Sequence, residues 1–179
     1  MKKYWMFGLV SLILLCATSI VLADDEVNRY IKDPNIANLT AEQQALLGNI
    51  EHSGIQIIKQ GMIFAFIIPT DCFFEKDTRA LKRGRQRVLF ELAHFLRSYS
   101  EYFAHSKIMV SGFTDKVWFY PKRKQLSIHY AKTIASQLKF AGLSSRGMKV
   151  RGYGAKMPIA SNDYPDGTVF NRRVVVVIR

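Results

Sequence analysis

The sequence predicts an α/β (α+β) two-layer sandwich in which a mixed β-sheet is covered by helices. Short segments rich in β-branched and aromatic residues alternate with longer segments whose apolar residues recur at helical spacing. The first two strand segments are separated only by Gln60-Gly61 and predict an antiparallel hairpin, whereas helices separate the later strands and predict some parallel pairing. The last segment, Arg173–Ile178, is almost entirely apolar, which predicts a strand that is central in the sheet or covered on both faces.

The first 23 residues predict an export signal. Two lysines precede an apolar run, and Val21 and Ala23 fit the positions that a type I signal peptidase reads. Two alternatives stay open. Residues 9–22 are apolar enough for an uncleaved anchor, and a bacterial lipoprotein signal ending before Cys16 would lead to lipidation of that cysteine. All three export the chain, so we expect a periplasmic protein associated with the outer membrane of a Gram-negative bacterium.

The net charge of +12 is unevenly distributed along the chain. Residues 24–53 form an acidic N-terminal arm with six carboxylates against two cations, whereas residues 54–179 carry 22 Lys or Arg against 8 Asp or Glu. The sequence therefore predicts a leader at 1–23, an acidic arm at 24–53 and a basic domain at 54–179. An exported basic domain suits anionic cell-wall polymers, lipid headgroups or acidic proteins, and export argues against a nucleic-acid partner.

The arm and the start of the domain contain the first predicted elements. Thr40 and Gln43 have the spacing of a capping box, which predicts a short helix that ends near His52. The hairpin strands are expected at residues 54–59 and 62–68.

Two long helices and two further strands are expected after the hairpin. The first helix is predicted to open at Asp77 or Thr78 and to continue through apolar residues at helical spacing. Residues 107–113 predict a third strand, and residues 124–140 predict the second helix, which Gly142 closes as a left-handed C-cap. The fourth strand is expected at Met148–Gly154.

No residue pattern supports catalysis, a metal or a cofactor. The four histidines show no paired ligand spacing, and the chain has neither a nucleophile elbow nor a phosphate-binding glycine loop. We therefore do not expect an enzyme. Cys72 lacks an intrachain partner in the mature chain and is expected to be a buried thiol.

Asp115 is the residue whose position suggests ligand binding. It follows the third strand, where an α/β layout exposes side chains to a ligand, and a carboxylate there suits an ammonium group. The alternative is an aspartate that only caps its loop.

Five sequence blocks occur in the order and with the separations of one family. They are residues 67–74 (Ile-Ile-Pro-Thr-Asp-Cys-Phe-Phe), 110–115 (Val-Ser-Gly-Phe-Thr-Asp), 126–131 (Leu-Ser-x-x-x-Ala), 150–160 and 171–174. In these blocks the chain resembles the OmpA-like C-terminal, peptidoglycan-associating domain, over about residues 57–178. The resemblance implies the fold of that family and non-covalent binding of diaminopimelate in the stem peptide of peptidoglycan.

The resemblance also implies a set of site residues. In the family an aspartate faces the ammonium group of diaminopimelate, and Asp115 matches it; an arginine faces the carboxylate, and that position holds Tyr130. Arg123, about two helical turns earlier, or Lys124 next to it is a candidate replacement cation. Asn171 and Arg172 match the last block, which lines the same pocket in the family. Removing one partner of such an arginine–carboxylate pair typically costs about 2–5 kcal/mol, so a binder that has lost its ligand stays an alternative.

An aromatic loop follows Asp115. Trp118, Phe119 and Tyr120 stand beside several cations, and exposed aromatic residues tend to mark partner contacts. We expect them to form a docking epitope beside the pocket; the alternative is that they pack on the helix that follows.

Together these features predict a non-enzymatic cell-envelope protein that associates with peptidoglycan and anchors or stabilises an outer-membrane complex. Its short length, leader, acidic arm and altered pocket resemble a core component of the Dot/Icm type IVB secretion system. The expected partners are the diaminopimelate stem peptide, other outer-membrane proteins of the secretion complex, and the membrane itself if a lipid anchor is present. The alternative is a structural subunit that acts only through protein contacts.

Overall fold

The computed structural model describes residues 39–76, 78, 80–102, 106–117 and 120–179, the last range without the side chains of residues 120 and 121. The leader with its three interpretations, Cys16 and the first half of the acidic arm lie outside the described residues. Among the helices of the described part, none combines the length and the apolar character needed to cross a membrane.

Ten elements follow one another along the described chain. They are α1 (Ala41–His52), β1 (Gln56–Gln60), β2 (Ile63–Pro69), α2 (Thr70–Phe73), α3 (Arg85–Ser100), β3 (Ile108–Phe113), α4 (Tyr120–Phe140), β4 (Met148–Gly154), α5 (Pro165–Asn171) and β5 (Arg173–Ile178).

The five strands form one mixed sheet in the order β1-β2-β5-β3-β4. Neighbouring strands pair antiparallel except for β3 and β4, which are parallel and are connected through α4. The predicted hairpin, the parallel pairing and the central position of the apolar strand β5 are all confirmed. A strand with neighbours on both sides has no free edge, which suits the continuous apolar run of β5.

The hydrophobic core lies between one face of this sheet and the helices α1, α3 and α4. Alternate residues of β2 and β5, such as Phe66 and Val176, point into it and are fully buried. Tyr99 of α3 is packed among the core aromatic rings and donates its phenol hydrogen bond to the carbonyl of Met62 at 2.9 Å. Burial raises the pKa of Tyr99 to about 12.

Helix α1 packs on the domain. Its capping box is present: the Thr40 hydroxyl accepts a hydrogen bond from the backbone N–H of Gln43, and the Gln43 side chain accepts one from the N–H of Thr40. The Gln43 amide also donates to the hydroxyl of Ser98 in α3 at 3.3 Å, and Ile50 is fully buried in the core. The arm therefore contributes a structural helix to the domain that follows it.

Two local predictions are wrong, and one short helix was not predicted. Helix α3 begins at Arg85, after Gly84 with φ 84°, because Leu81 pairs with Phe74 in an isolated β-bridge instead of continuing the helix. The short helix α5 was not predicted, since its sequence has no apolar periodicity. Cys72 is exposed, because α2 turns its side chain away from the core.

Helix α4 rests directly on the backbone of two neighbouring strands. Gly112 of β3 and Gly152 of β4 are paired in register, and a Cβ on them would lie 1.9 Å from the carbonyl oxygen of Ser127 and 2.5 Å from the nitrogen of Ile128, respectively. Only glycine allows this approach. The contact fixes where α4, and with it Tyr130, stands over the sheet.

Replacing Gly112 by alanine is expected to lower the free energy of unfolding by about 3 kcal/mol, because α4 must shift away from β3. Gly48→Ala is the matched control: Gly48 lies inside α1 and a Cβ there meets no atom within 4 Å, so this change should raise stability by ~0.5–1 kcal/mol. Guanidinium unfolding of both variants tests the contact. Equal stability of Gly112→Ala and the wild type would show that α4 does not need it.

Candidate functional site

The register of the sheet places three chain segments side by side at one end. Pro69 at the end of β2 pairs with Arg173 at the start of β5, and Arg173 pairs with Phe113 at the end of β3. The residues just beyond these positions therefore meet although they are far apart in sequence. Asp71 follows β2, Arg172 precedes β5, and Asp115 follows β3.

Arg172 binds both aspartates. Its Nε donates to Asp71 Oδ1 at 2.9 Å and its Nη2 donates to Asp71 Oδ2, while its Nη1 donates to Asp115 Oδ2 at 2.6 Å. The same Nη1 also donates to the hydroxyl of Thr168 in α5 at 3.2 Å. Hydrogen bonding to Asp71, together with that to Asp115, raises the pKa of Arg172 despite its partial burial, so the guanidinium stays charged. We call Asp71, Arg172 and Asp115 the carboxylate–arginine cluster; its net formal charge is negative.

Asp115 caps its loop and also lines a cavity. It is 2% exposed, and its Oδ1 accepts a hydrogen bond from the backbone N–H of Val117 at 3.0 Å, which caps the loop after β3. Its other oxygen belongs to the carboxylate–arginine cluster, and the residue lines a cavity. Loop capping thus fixes the carboxylate without removing it from the site.

This cavity has a volume of about 500 Å³, which is within the range of small-ligand pockets. Its described lining includes three carboxylates, three cations, two threonines and an apolar wall: Asp71, Glu75, Asp115, Lys76, Lys82, Arg172, Thr70, Thr114, Phe74, Val117, Leu126 and Tyr130. Opposite charges on walls of one cavity suit a zwitterionic ligand better than a simple anion or cation.

One buried polar atom in the cavity lacks a partner in the described part of the chain. The hydroxyl of Thr114 is buried, the residue is 3% exposed, and no hydrogen bond to it is formed within the described residues. Thr114 lines the cavity next to Asp115. Buried polar groups are normally hydrogen-bonded, so this hydroxyl is an exception beside Asp115.

Tyr130 stands in the cavity wall, as its place in the sequence blocks predicts. It is 6% exposed, and its ring packs against Phe74 with 4.6 Å between ring centroids. The aromatic pair forms an uncharged wall where the resemblance implies a guanidinium.

Arg123 and Asn171, two further expected site residues, are not among the described residues that line the cavity. Arg123 packs over the end of β4, because a Cβ added to Gly154 would lie 3.6 Å from the Cβ of Arg123. Asn171 is fully buried, and its side-chain oxygen accepts the N–H groups of Ile159 and Ala160 at 2.8 and 3.2 Å. Asn171 therefore holds the loop before α5 and positions Arg172 next to it.

The aromatic docking residues are only partly described. Trp118 and Phe119 lie outside the described residues, and Tyr120 is described only as the first backbone position of α4. Val117, immediately before them, is 75% exposed and belongs to the cavity rim. The predicted epitope therefore stays a prediction.

Sequence reasoning did not assign Asp71 or Lys82 to the site. Asp71 was visible in the block after β2, and the pairing of β2 with β5 is what brings it to Arg172, 101 residues away. Lys82 follows the isolated bridge between Phe74 and Leu81, a tertiary feature with no local sequence signal. In the described residues no group of three or more histidine, cysteine or acidic side chains could hold a metal ion.

Comparison with known proteins places the chain among relatives from the bacterial envelope. It is 24% identical over 140 residues to the probable lipoprotein YiaD of Escherichia coli (strain K12), an alignment that covers 78% of this chain and 62% of YiaD. It is 33% identical over 105 residues to the peptidoglycan-binding protein ArfA of Mycobacterium tuberculosis (strain ATCC 25618 / H37Rv), covering 59% of this chain and 31% of ArfA. The chain thus spans less than two thirds of the length of both relatives.

The fold and the family follow from two further matches. The structure of the cell wall anchor of the T6SS from Pseudomonas aeruginosa superposes with a TM-score of 0.65 at 21% identity, covering 75% of this chain and 94% of that one, which shows the same fold. The model of the OmpA family matches residues 73–172, which is more than half of the chain and includes every described lining residue of the cavity except Thr70 and Asp71. The chain belongs to the OmpA family.

Proposed function

We propose that the chain is a non-enzymatic protein of the Gram-negative cell envelope that binds peptidoglycan in the cavity at the end of its sheet. The observation that carries this proposal is the carboxylate–arginine cluster beside two lysines, which gives the cavity both signs of charge. Relatives described as a peptidoglycan-binding protein and a cell wall anchor support it.

The free amino-acid centre of a diaminopimelate stem peptide fits this charge pattern. Its ammonium group would bind Asp115, whose orientation is fixed by Val117 and Arg172. The Thr114 hydroxyl stands next to that position and would gain its missing partner. The loop and the guanidinium already hold the Asp115 carboxylate in one orientation, and a preorganised group loses less free energy when it binds a ligand.

Asp115→Asn is expected to reduce co-sedimentation with purified sacculi about tenfold or more, since a hydrogen bond to a charged group contributes about 1.5–3 kcal/mol. Asp163→Asn is the matched control: it makes the same change of charge at an exposed loop residue outside the lining of the cavity. Binding isotherms on sacculi and thermal melts of both variants make up the measurement. If Asp115→Asn keeps its fold and sediments like the wild type, the cavity does not recognise peptidoglycan.

At a finer level, we propose that the chain serves in the outer-membrane core complex of a Dot/Icm type IVB secretion system, as a protein similar to DotK, also called IcmN. Its predicted leader, its acidic arm and the altered pocket with Tyr130 support this assignment. Lipidation of Cys16 would provide the membrane anchor. Peptidoglycan bound in the cavity would then brace the complex against the cell wall.

One observation favours the alternative of a structural subunit that has lost its ligand. Tyr130 adds no charge to the cavity, and Asp115 already has a cation in Arg172. A subunit of this kind would act through its aromatic loop and its basic face, which would hold neighbouring proteins.

The double variant Trp118→Ala, Phe119→Ala is expected to release the protein from its outer-membrane complex, because aromatic anchors dominate the free energy of most interfaces. The measurement is affinity purification from detergent-solubilised envelopes, with Phe140→Ala, which truncates an exposed aromatic residue at the end of α4, as control. An intact complex with the double variant would refute docking through this loop. Release by the double variant together with normal sedimentation of Asp115→Asn would favour the ligand-free alternative.

A further inference from the structure

Resting on the proposed function, we propose that Lys82 is the cation that binds the carboxylate of the ligand and thereby makes the cavity select an amino-acid centre over a simple amine. Nothing in the sequence blocks of the family points to this residue. The inference comes from the way charge is distributed over the cavity walls.

Arg172 is poorly suited to a third carboxylate. Its Nε and Nη2 groups donate to Asp71, and its Nη1 donates to Asp115 and to Thr168. The two aspartates together outweigh its single positive charge, so an incoming carboxylate at this place would be repelled. Arg172 therefore organises the end of the cavity that receives the ammonium group.

The aromatic wall supplies no charge either. Tyr130 packs on Phe74, and Leu126 extends this surface. Among the described residues that line the cavity, Lys76 and Lys82 are then the cations left to pair with a ligand carboxylate.

Lys82 is held in place by two hydrogen bonds, whereas the described residues provide none to the side chain of Lys76. The backbone N–H of Lys82 donates to the carbonyl of Phe73 at 2.9 Å, next to the bridge between Phe74 and Leu81. Its ammonium group donates to the carbonyl of Asp71 at 2.7 Å. Lys76 lies in an exposed turn. A cation fixed at both its backbone and its head group loses less conformational entropy when it binds a ligand.

Asp71 connects the two ends of the proposed site. Its carboxylate binds Arg172 and its carbonyl binds the ammonium group of Lys82. A lysine ammonium has three N–H donors, so the bond to this carbonyl is compatible with a second bond to a ligand. Asp115 and Lys82 then form the negative and the positive contact of one zwitterion.

The test compares two synthetic peptides that differ by a single carboxylate: L-Ala-γ-D-Glu-meso-diaminopimelate and L-Ala-γ-D-Glu-L-Lys. Titration calorimetry with the exported chain, purified in mild detergent, should show about tenfold or greater preference for the diaminopimelate peptide, the range expected for one charged hydrogen bond. The Lys82→Met variant should bind the diaminopimelate peptide only as tightly as the wild type binds the lysine peptide. Its affinity for the lysine peptide should equal that of the wild type.

Three further variants separate the possible outcomes. Lys82→Arg should retain the preference for the diaminopimelate peptide, because it keeps a cation at this position of the cavity. Lys149→Met removes an exposed lysine on β4 and should behave like the wild type. Asp115→Asn should lower the affinity for both peptides to a similar degree.

The results distinguish this inference from the function on which it rests. If the wild type binds neither peptide, the proposed function fails. If the wild type binds both peptides equally, or if Lys82→Met keeps the preference for diaminopimelate, the cavity binds its ligand without Lys82 and the inference is overturned. A Lys82→Met variant that loses both peptides while Lys82→Arg retains both would assign Lys82 a purely structural role and would likewise overturn it.

Discussion

The site depends on one guanidinium bound between two carboxylates. Asp71, Arg172 and Asp115 come from three chain segments that only the sheet brings together, and without the cation the two aspartates would repel each other at the end of the sheet. The same bonds set the shape of the cavity and its charge. Because the cluster contains two carboxylates and one guanidinium, it keeps an excess negative charge at the end of the sheet.

The sequence predicted the fold well where the signal is local. The bounds of β4 and β5, the capping box at Thr40 and the C-cap at Gly142 with φ 90° agree with the structure. Each depends on residues within a few positions of one another. The start of α3 was misplaced because Leu81 fits a helical period as well as it fits the bridge to Phe74, and only tertiary packing decides between them.

The site could be predicted only in part, because only some of its residues have a local signal in the sequence. Asp115 and Tyr130 could be assigned because they stand inside recognisable blocks, and both line the cavity. Asn171 stands in such a block too, but it holds a loop, so a block indicates proximity to the site and not contact with the ligand. Lys82 could not be assigned to the site from any spacing in the sequence. Its position follows from the pairing of β2 with β5 and from the bridge between Phe74 and Leu81 after α2.

The central claim is that a preformed cavity binds a zwitterionic amino-acid centre between the carboxylate–arginine cluster and Lys82. The most direct test is a crystal structure of the chain grown with saturating L-Ala-γ-D-Glu-meso-diaminopimelate. We expect the free amino-acid centre to occupy the cavity, with its ammonium group on Asp115 and its carboxylate on Lys82, while Arg172 keeps its bonds to both aspartates. An empty cavity at saturation, or a ligand whose carboxylate displaces Asp115 from Arg172, would contradict it.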